Sequence, residues 1–95
     1  MAATPTVTHN AAAGQFEAHT GHGVAILKYV RRGNVLDLVH TGVPREEQRR
    51  GIGAALARAA LEHARRDGVR VIPSCPFVRS YLTKHKEFAD LVATS

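Results

Sequence analysis

His40-Thr41-Gly42-Val43-Pro44-Arg45-Glu46-Glu47-Gln48-Arg49-Arg50-Gly51-Ile52-Gly53 is the stretch where the hydrophobic period of the chain changes. After it, from Gly51 to Asp67, Ile52, Ala55, Leu56, Ala59, Ala60 and His63 follow the i, i+3, i+4, i+7 spacing of an amphipathic helix. Arg58, Glu62, Arg65 and Arg66 take the opposite face, with Glu62 four residues ahead of Arg66 in the favourable order for a helix pair. Gly68 supplies a C-terminal stop. Before the stretch, the period is two. Val35 to Val43 reads as a strand, with Val35, Val39 and Val43 on one face and Leu36, Leu38 and His40 on the other.

Further toward the N-terminus the same alternation repeats between turns. Arg31 to Asn34 is a turn, and Val24 to Val30 is a strand with Ala25, Leu27 and Tyr29 on one face. Gly21-His22-Gly23 marks a hairpin, Gln15 to His19 a half-buried strand, Ala11 to Gly14 a turn, and Thr6 to Asn10 a short strand. Residues 1–5 read as a loose terminus. Toward the C-terminus, Val69 to Pro73 is a short apolar strand. Pro76 suits the first turn of a second helix reaching about Lys86, with Phe77, Tyr81 and Leu82 inward. Phe88 to Val92 adds an apolar patch. The expected fold is α+β (α/β in a looser scheme): four antiparallel strands, a helix, a fifth strand and a helix. The right-handed strand–helix–strand crossover makes the fifth strand parallel to the fourth.

The length of 95 residues points to one domain. At that size roughly 60–65% of the chain's surface is buried on folding, so the core must be compact. A single cysteine, Cys75, excludes an internal disulfide and a cysteine-based metal cluster. No apolar run approaches the ~20 residues of a membrane span, and the first residues lack the pattern of a signal peptide. A cytoplasmic protein with no membrane partner is expected. The net charge of +5 rests mostly on ten arginines and suggests an anionic partner, either nucleic acid or a phosphate-rich small molecule. Five aromatic residues, several of them core-like, offer no stacking surface for single strands, and no recognition-helix pair is evident. Nucleic acid is therefore ranked last.

Gln48-x-x-Gly51-x-Gly53 lies between a strand and a long helix, with Arg49 and Arg50 inside it. A helix start carries unpaired amides and the positive dipole end, both suited to a phosphate. Glycines let the backbone approach the anion. The bare motif equally describes a glycine-containing helix start with a solvated arginine turn. It is neither a Walker loop nor a dinucleotide fingerprint, because the lysine and the three-glycine spacing are missing.

The stretch from His40 to Gly53 resembles motif A of the GNAT superfamily. The later stretch Val71-Ile72-Pro73-Ser74-Cys75-Pro76-Phe77-Val78, with Tyr81-Leu82-x-Lys84-His85 and Phe88-Ala89-Asp90-Leu91-Val92, is similar to its compact stand-alone N-acetyltransferase domain proteins. The resemblance runs from about Val7 to Val92 and implies one such domain over 1–95. It implies a mixed sheet whose fourth and fifth strands splay to admit acetyl-CoA. It implies that Gln48, Arg49, Arg50, Gly51, Ile52 and Gly53 hold the pyrophosphate, and that the Val43 backbone meets the pantetheine arm. The implied activity is acetyl transfer from acetyl-CoA, as acyl donor, to an amine acceptor that is a small molecule or a protein. Room for the helices that shape the acceptor pocket in larger members is lacking, as is their final strand pair, so the acceptor site should be shallow. A non-catalytic acyl-CoA-binding module is the alternative.

Two residues are candidates for the chemistry. His40, near the end of the fourth strand, could take a proton from the amine, or be a histidine bonded within the sheet. Cys75 falls at the cap of the second helix, where amides and the dipole stabilise a thiolate. It could carry the acetyl group or line the pantetheine channel. Glu46 and Glu47 could act as a base through water, although acidic residues ahead of a helix also answer its dipole. Tyr81 is assigned to packing. His9, His19, His22, His63 and His85 show no metal-ligand spacing, so no metal is expected. The oligomeric state is open.

Overall fold

The computed structural model describes residues 6–93. The element order is β1 (Thr8–Asn10), β2 (Gln15–Thr20), β3 (Gly23–Arg32), β4 (Val35–Gly42), a 3-10 turn (Arg45–Glu47), α1 (Ile52–Asp67), β5 (Arg70–Ile72), α2 (Pro76–Lys84) and a 3-10 segment (Lys86–Leu91). The expected loose terminus at 1–5 lies outside the described residues. One sheet runs in the order β1-β2-β3-β4-β5. The first three pairings are antiparallel and the last is parallel, as the crossover rule requires. The α+β fold expected from the sequence is therefore the fold observed.

Alternation sends Phe16 and Ala18 of β2, Ala25 and Leu27 of β3, and Leu36 and Leu38 of β4 toward α1. Leu56, Ala57, Ala60, Leu61 and Ala64 of α1 meet them, all essentially inaccessible to solvent. The buried stripe of α1 is thus rotated from the expected one. Ala55, Ala59 and His63 flank it half-buried, while Ala57, Leu61 and Ala64 lie inside. Alanines occur on both sides of this boundary, so the side that carries Leu56 and Leu61 is the one turned to the sheet. The ion pair on the exposed face is also shifted by one turn, joining Arg58 to Glu62 at 3.1 Å. Gly68 ends α1 in the left-handed conformation (φ 69°), its N–H donating to the carbonyls of Ala64 and Arg65.

Two further expectations are corrected. In α2, Val78 and Tyr81 are buried and Phe77 is exposed, because Phe77 turns toward the start of α1 rather than toward the sheet. The helix ends at Lys84, and Lys86–Leu91 is a 3-10 segment that buries Phe88 and Leu91. Arg65 holds this segment through both carboxylate oxygens of Asp90, at 3.1 and 3.0 Å, and through the Glu87 carbonyl. Last, the chain closes with a parallel bridge of Val92 to Val71 on the outer edge of β5, with the Ala93 amide donating to the Val71 carbonyl at 2.8 Å. It is a single isolated bridge and not a strand pair.

The correction that shapes the site lies in β4. Tyr29 pairs with Leu38, but Lys28 pairs with His40, so Val39 is the extra residue of a β-bulge. A bulge reverses the alternation beyond it. His40 therefore does not share a face with Leu36 and Leu38: it is exposed opposite Lys28, on the side away from the helices. Thr41 comes to the helix side instead, opposite Leu27. With this register, neighbouring truncations should differ sharply. Leu38→Ala should cost about 2–5 kcal/mol in chemical unfolding, as a fully buried leucine does. Val39→Ala should cost under about 1 kcal/mol.

Candidate functional site

The parallel pairing of β4 with β5 is short. It covers Val35 with Arg70, Leu36 with Val71 and Asp37 with Ile72. The chain then turns, with the Ser74 amide on the Ile72 carbonyl, and the Cys75 amide makes a last bond to the Leu38 carbonyl at 2.9 Å. Beyond that point β4 continues to Gly42 while the other chain leaves as α2. The parting is pinned from the opposite face. Asp37, nearly buried, accepts the Ser74 hydroxyl at 2.5 Å and faces the Arg32 guanidinium at 3.5 Å.

The stretch after β4 carries two left-handed residues, Arg49 (φ 71°) and Gly51 (φ 78°). This conformation is free for glycine and costs a side-chain-bearing residue roughly 1–2 kcal/mol. Alternation of left- and right-handed residues gathers successive amides into a concave donor set, a shape suited to anions. Gly51 is also the N-cap of α1 and has no side chain to satisfy the helix amides. The first helical bond runs from the Ala55 amide to the Gly51 carbonyl, so the amides of the first turn before it take no helical partner. Gln48 ties the loop to the end of β4 by donating its side-chain amide to the Val43 carbonyl at 3.2 Å.

The second glycine of the motif has a different reason. A Cβ on Gly53 would lie 2.8 Å from Cζ of Phe77. Gly53 is bare because the Phe77 ring rests on it, and this contact sets the approach of α2 to the start of α1. Between these elements runs a groove of about 580 Å³. Its walls are Thr41 from β4 and Val43 just after it, Glu47 to Ala54 without Arg50, and Phe77, Ser80, Tyr81, Lys84 and His85 along α2 and its end.

Of the sequence candidates, Val43, Gln48, Arg49, Gly51, Ile52 and Gly53 converge on this groove. Arg50 stands behind it, its Nε 3.7 Å from a Glu47 carboxylate oxygen. Glu47 is nearly buried and is held from the other side by Nδ1 of His22, in the β2–β3 hairpin, at 2.6 Å. It is the fastened carboxylate of the wall, whereas Glu46 is exposed. His40 is on the opposite sheet face and does not line the groove. Tyr81 is nearly buried, as assigned, yet also reaches the wall, its ring stacked on His85 at 3.9 Å.

Cys75 caps α2 and is 5% exposed, behind the wall rather than on it. Its Sγ lies 3.4 Å from Oγ1 of Thr41, which does line the groove. Burial pushes the thiol up, but the Thr41 hydroxyl and the amides of Val78, Phe77 and Thr41 outweigh it, and the thiol sits below its ordinary value. Thr41, Lys84 and His85 were missed as site residues. The bulge that turns Thr41 inward has no sequence signature, and the α2 face containing Lys84 is legible only once Phe77 is seen to point at α1.

Two measurements test this geometry. Thr41→Val removes the donor to the thiolate, so the pH midpoint of Cys75 alkylation by iodoacetamide should rise. An unchanged midpoint would exclude the hydroxyl as a cause. In a double-mutant cycle, Gly53→Ala should be more favourable in a Phe77→Ala background than in the wild type, with a coupling of at least about 0.5 kcal/mol between the two positions.

The family described as GCN5-related N-acetyl-transferase matches residues 15–91, from β2 through the last 3-10 segment. The NMR solution structure of a GCN5-like protein from Staphylococcus aureus is similar to this chain at 26% identity. The likeness covers 95% of this chain and 89% of that one, with a TM-score of 0.73. The match takes in the parted strands, the glycine loop and both walls of the groove, and the chain accordingly belongs to the GCN5-related N-acetyltransferase family.

Proposed function

We propose that this protein is an enzyme that moves an acetyl group from acetyl-CoA to an amine. The observation that carries the reading is one continuous groove joining the end of β4, past its pairing with β5, to the uncapped, left-handed start of α1. Coenzyme A has a pyrophosphate between a long pantetheine arm and a nucleotide. The amides from Arg49 to Gly53 suit the pyrophosphate, with Gln48 bracing the loop and Arg49 and Arg50 adding positive charge. The unpaired edge of β4 around Thr41 and Val43 offers backbone groups to the amides of the pantetheine arm. Acetyl-CoA supplies an activated acyl carbonyl, and binding along the groove would orient that carbonyl at the strand parting.

The acceptor amine must lose a proton as it attacks. In this reading it arrives over the open sheet face, where His40 stands free in solvent beyond the bulge. A neutral imidazole there takes the proton. No helix lies over Val24, Val30 and Ile72, which are exposed on that face. A shallow acceptor site follows, suited to a protein amine or to small amines without tight selection.

A second route is favoured by one observation, the downward pull on the Cys75 thiol. Its thiolate would attack the acetyl carbonyl, the carbon–sulfur bond to coenzyme A would break, and coenzyme A would leave as its thiolate. The amine would then attack acetyl-Cys75, pass its proton to His40 and release the Cys75 thiolate. The burial of Sγ behind Thr41 favours direct transfer instead, with Cys75 packing beside the channel.

The deciding experiment is thiol release from acetyl-CoA across a panel of protein lysines, N-termini, polyamines and small amines. Turnover with at least one class is expected. Coenzyme A binding with no turnover over the panel would instead identify a non-catalytic acyl-CoA module. Gly51→Asp puts a carboxylate at the proposed phosphate position and should weaken coenzyme A binding by at least about tenfold in calorimetry. Unchanged affinity in a folded variant would refute the placement. Intact mass after mixing with acetyl-CoA alone separates the routes: an acetyl adduct absent from Cys75→Ala supports the cysteine carrier, and full turnover of Cys75→Ala removes it.

A further inference from the structure

The groove is longer than a pyrophosphate site requires. Past the glycine loop it follows one face of α2, from Phe77 through Ser80 to Lys84 and His85 at its end. Lys84 lies nine positions after Cys75, about 13 Å along the helix axis. A ligand with its thioester at the strand parting and its pyrophosphate at the start of α1 therefore brings its remaining portion to the Lys84 end.

The charges near the groove are unevenly committed. Arg50 faces Glu47, Arg58 faces Glu62, and Arg79 donates to the carbonyls of Pro73 and Ser74. Two cations that line the groove are exposed and enter no ion pair among the described residues: Arg49 at the glycine loop and Lys84 at the far end. Ser80 lies one turn before Lys84 on the same wall, so a hydroxyl and an ammonium are presented together. The end of the helix is braced behind them. His85 donates from Nδ1 to the Tyr81 carbonyl at 3.0 Å and stacks on the Tyr81 ring. A lysine in a last helical turn also answers the helix dipole, but that accounts for neither its place on the groove wall nor the hydroxyl beside it.

We propose that the Lys84–Ser80 end of the groove is a phosphomonoester subsite that takes the 3′-phosphate of the coenzyme A nucleotide. The assignment rests on the acetyl-CoA reading and adds to it. The protein distinguishes coenzyme A from its 3′-dephospho form, and it does so through Lys84, not through the glycine loop. Lys84 contributes a point charge to a terminal dianion, while the α1 amides hold the internal pyrophosphate common to both ligands.

The test is calorimetry of the whole chain at one fixed, moderate salt concentration, with coenzyme A and 3′-dephospho-coenzyme A as ligands. The wild type should prefer coenzyme A by about two- to fivefold, the size expected of one solvent-exposed ionic contact. Lys84→Met should abolish the preference by weakening coenzyme A alone, and Lys84→Arg should retain it. Lys84 is exposed at a helix end, so both variants should fold, which circular dichroism would check. Equal binding of the two ligands by the wild type would overturn the subsite, as would a preference untouched by Lys84→Met. Equal weakening of both ligands would also overturn it and assign Lys84 to the pyrophosphate. If neither ligand binds the wild type, the acetyl-CoA reading itself falls, and the subsite with it.

Discussion

The site depends on the separation of β4 from β5, and one backbone hydrogen bond marks where the two chains part. The Cys75 amide reaches the Leu38 carbonyl at 2.9 Å, after which the two chains leave each other. Everything around that bond serves to hold it. The Val39 bulge follows immediately in β4 and turns the rest of the strand. Asp37 clamps Ser74 from the outer face, so the turn into α2 cannot slide along the edge. Pro76 then starts the helix at once, with no amide of its own to seek a partner in the sheet. An unpaired strand edge inside a small domain invites pairing by other strands. Here it is left open beside a groove, where a ligand's amides can meet it.

The two glycines of the loop divide a task that looks uniform on paper. Gly51 is needed for its conformation: its φ is positive, and a Cβ there would meet nothing within 4 Å. Gly53 is needed for space, because Phe77 lies where its Cβ would be. The first shapes the amides at the start of α1, and the second sets how closely α2 approaches them. The same six residues therefore connect the exposed amides at the start of α1 to helix–helix packing. Phe77, 43% exposed, is kept at the surface by that contact.

The electrostatics follow from which charges are already paired. The carboxylate nearest the loop, Glu47, is held between His22 and Arg50 and so opposes an incoming anion less than a free carboxylate would. That pairing also fastens the β2–β3 hairpin to the loop, linking the meander to the site. On the far side, Arg65 and Asp90 hold the last 3-10 segment against α1. They are remote from the groove and act only on its frame.

The order of elements was legible in the chain because period two and period 3.6 are local properties. Alternation from Gln15 to Val43, the helical spacing after Gly51, the stop at Gly68 and the proline at the head of α2 each reveal an element without knowledge of its neighbours. The glycine loop was legible for the same reason, since its donors are the amides of consecutive residues. What the tertiary structure alone decided is which way side chains face once elements meet. The Val39 bulge sends His40 to the open face and Thr41 to the groove, because pairing with β3, not the sequence of β4, sets where the extra residue falls. Packing on the sheet selects Ala57, Leu61 and Ala64 as the inner stripe of α1, on the side where Leu56 and Leu61 are fully buried. Phe77 exchanges the core for Gly53, and with that exchange Ser80 and Lys84 become a wall. A local period names a face only up to a rotation or a one-residue slip, and the contacts between elements remove that freedom.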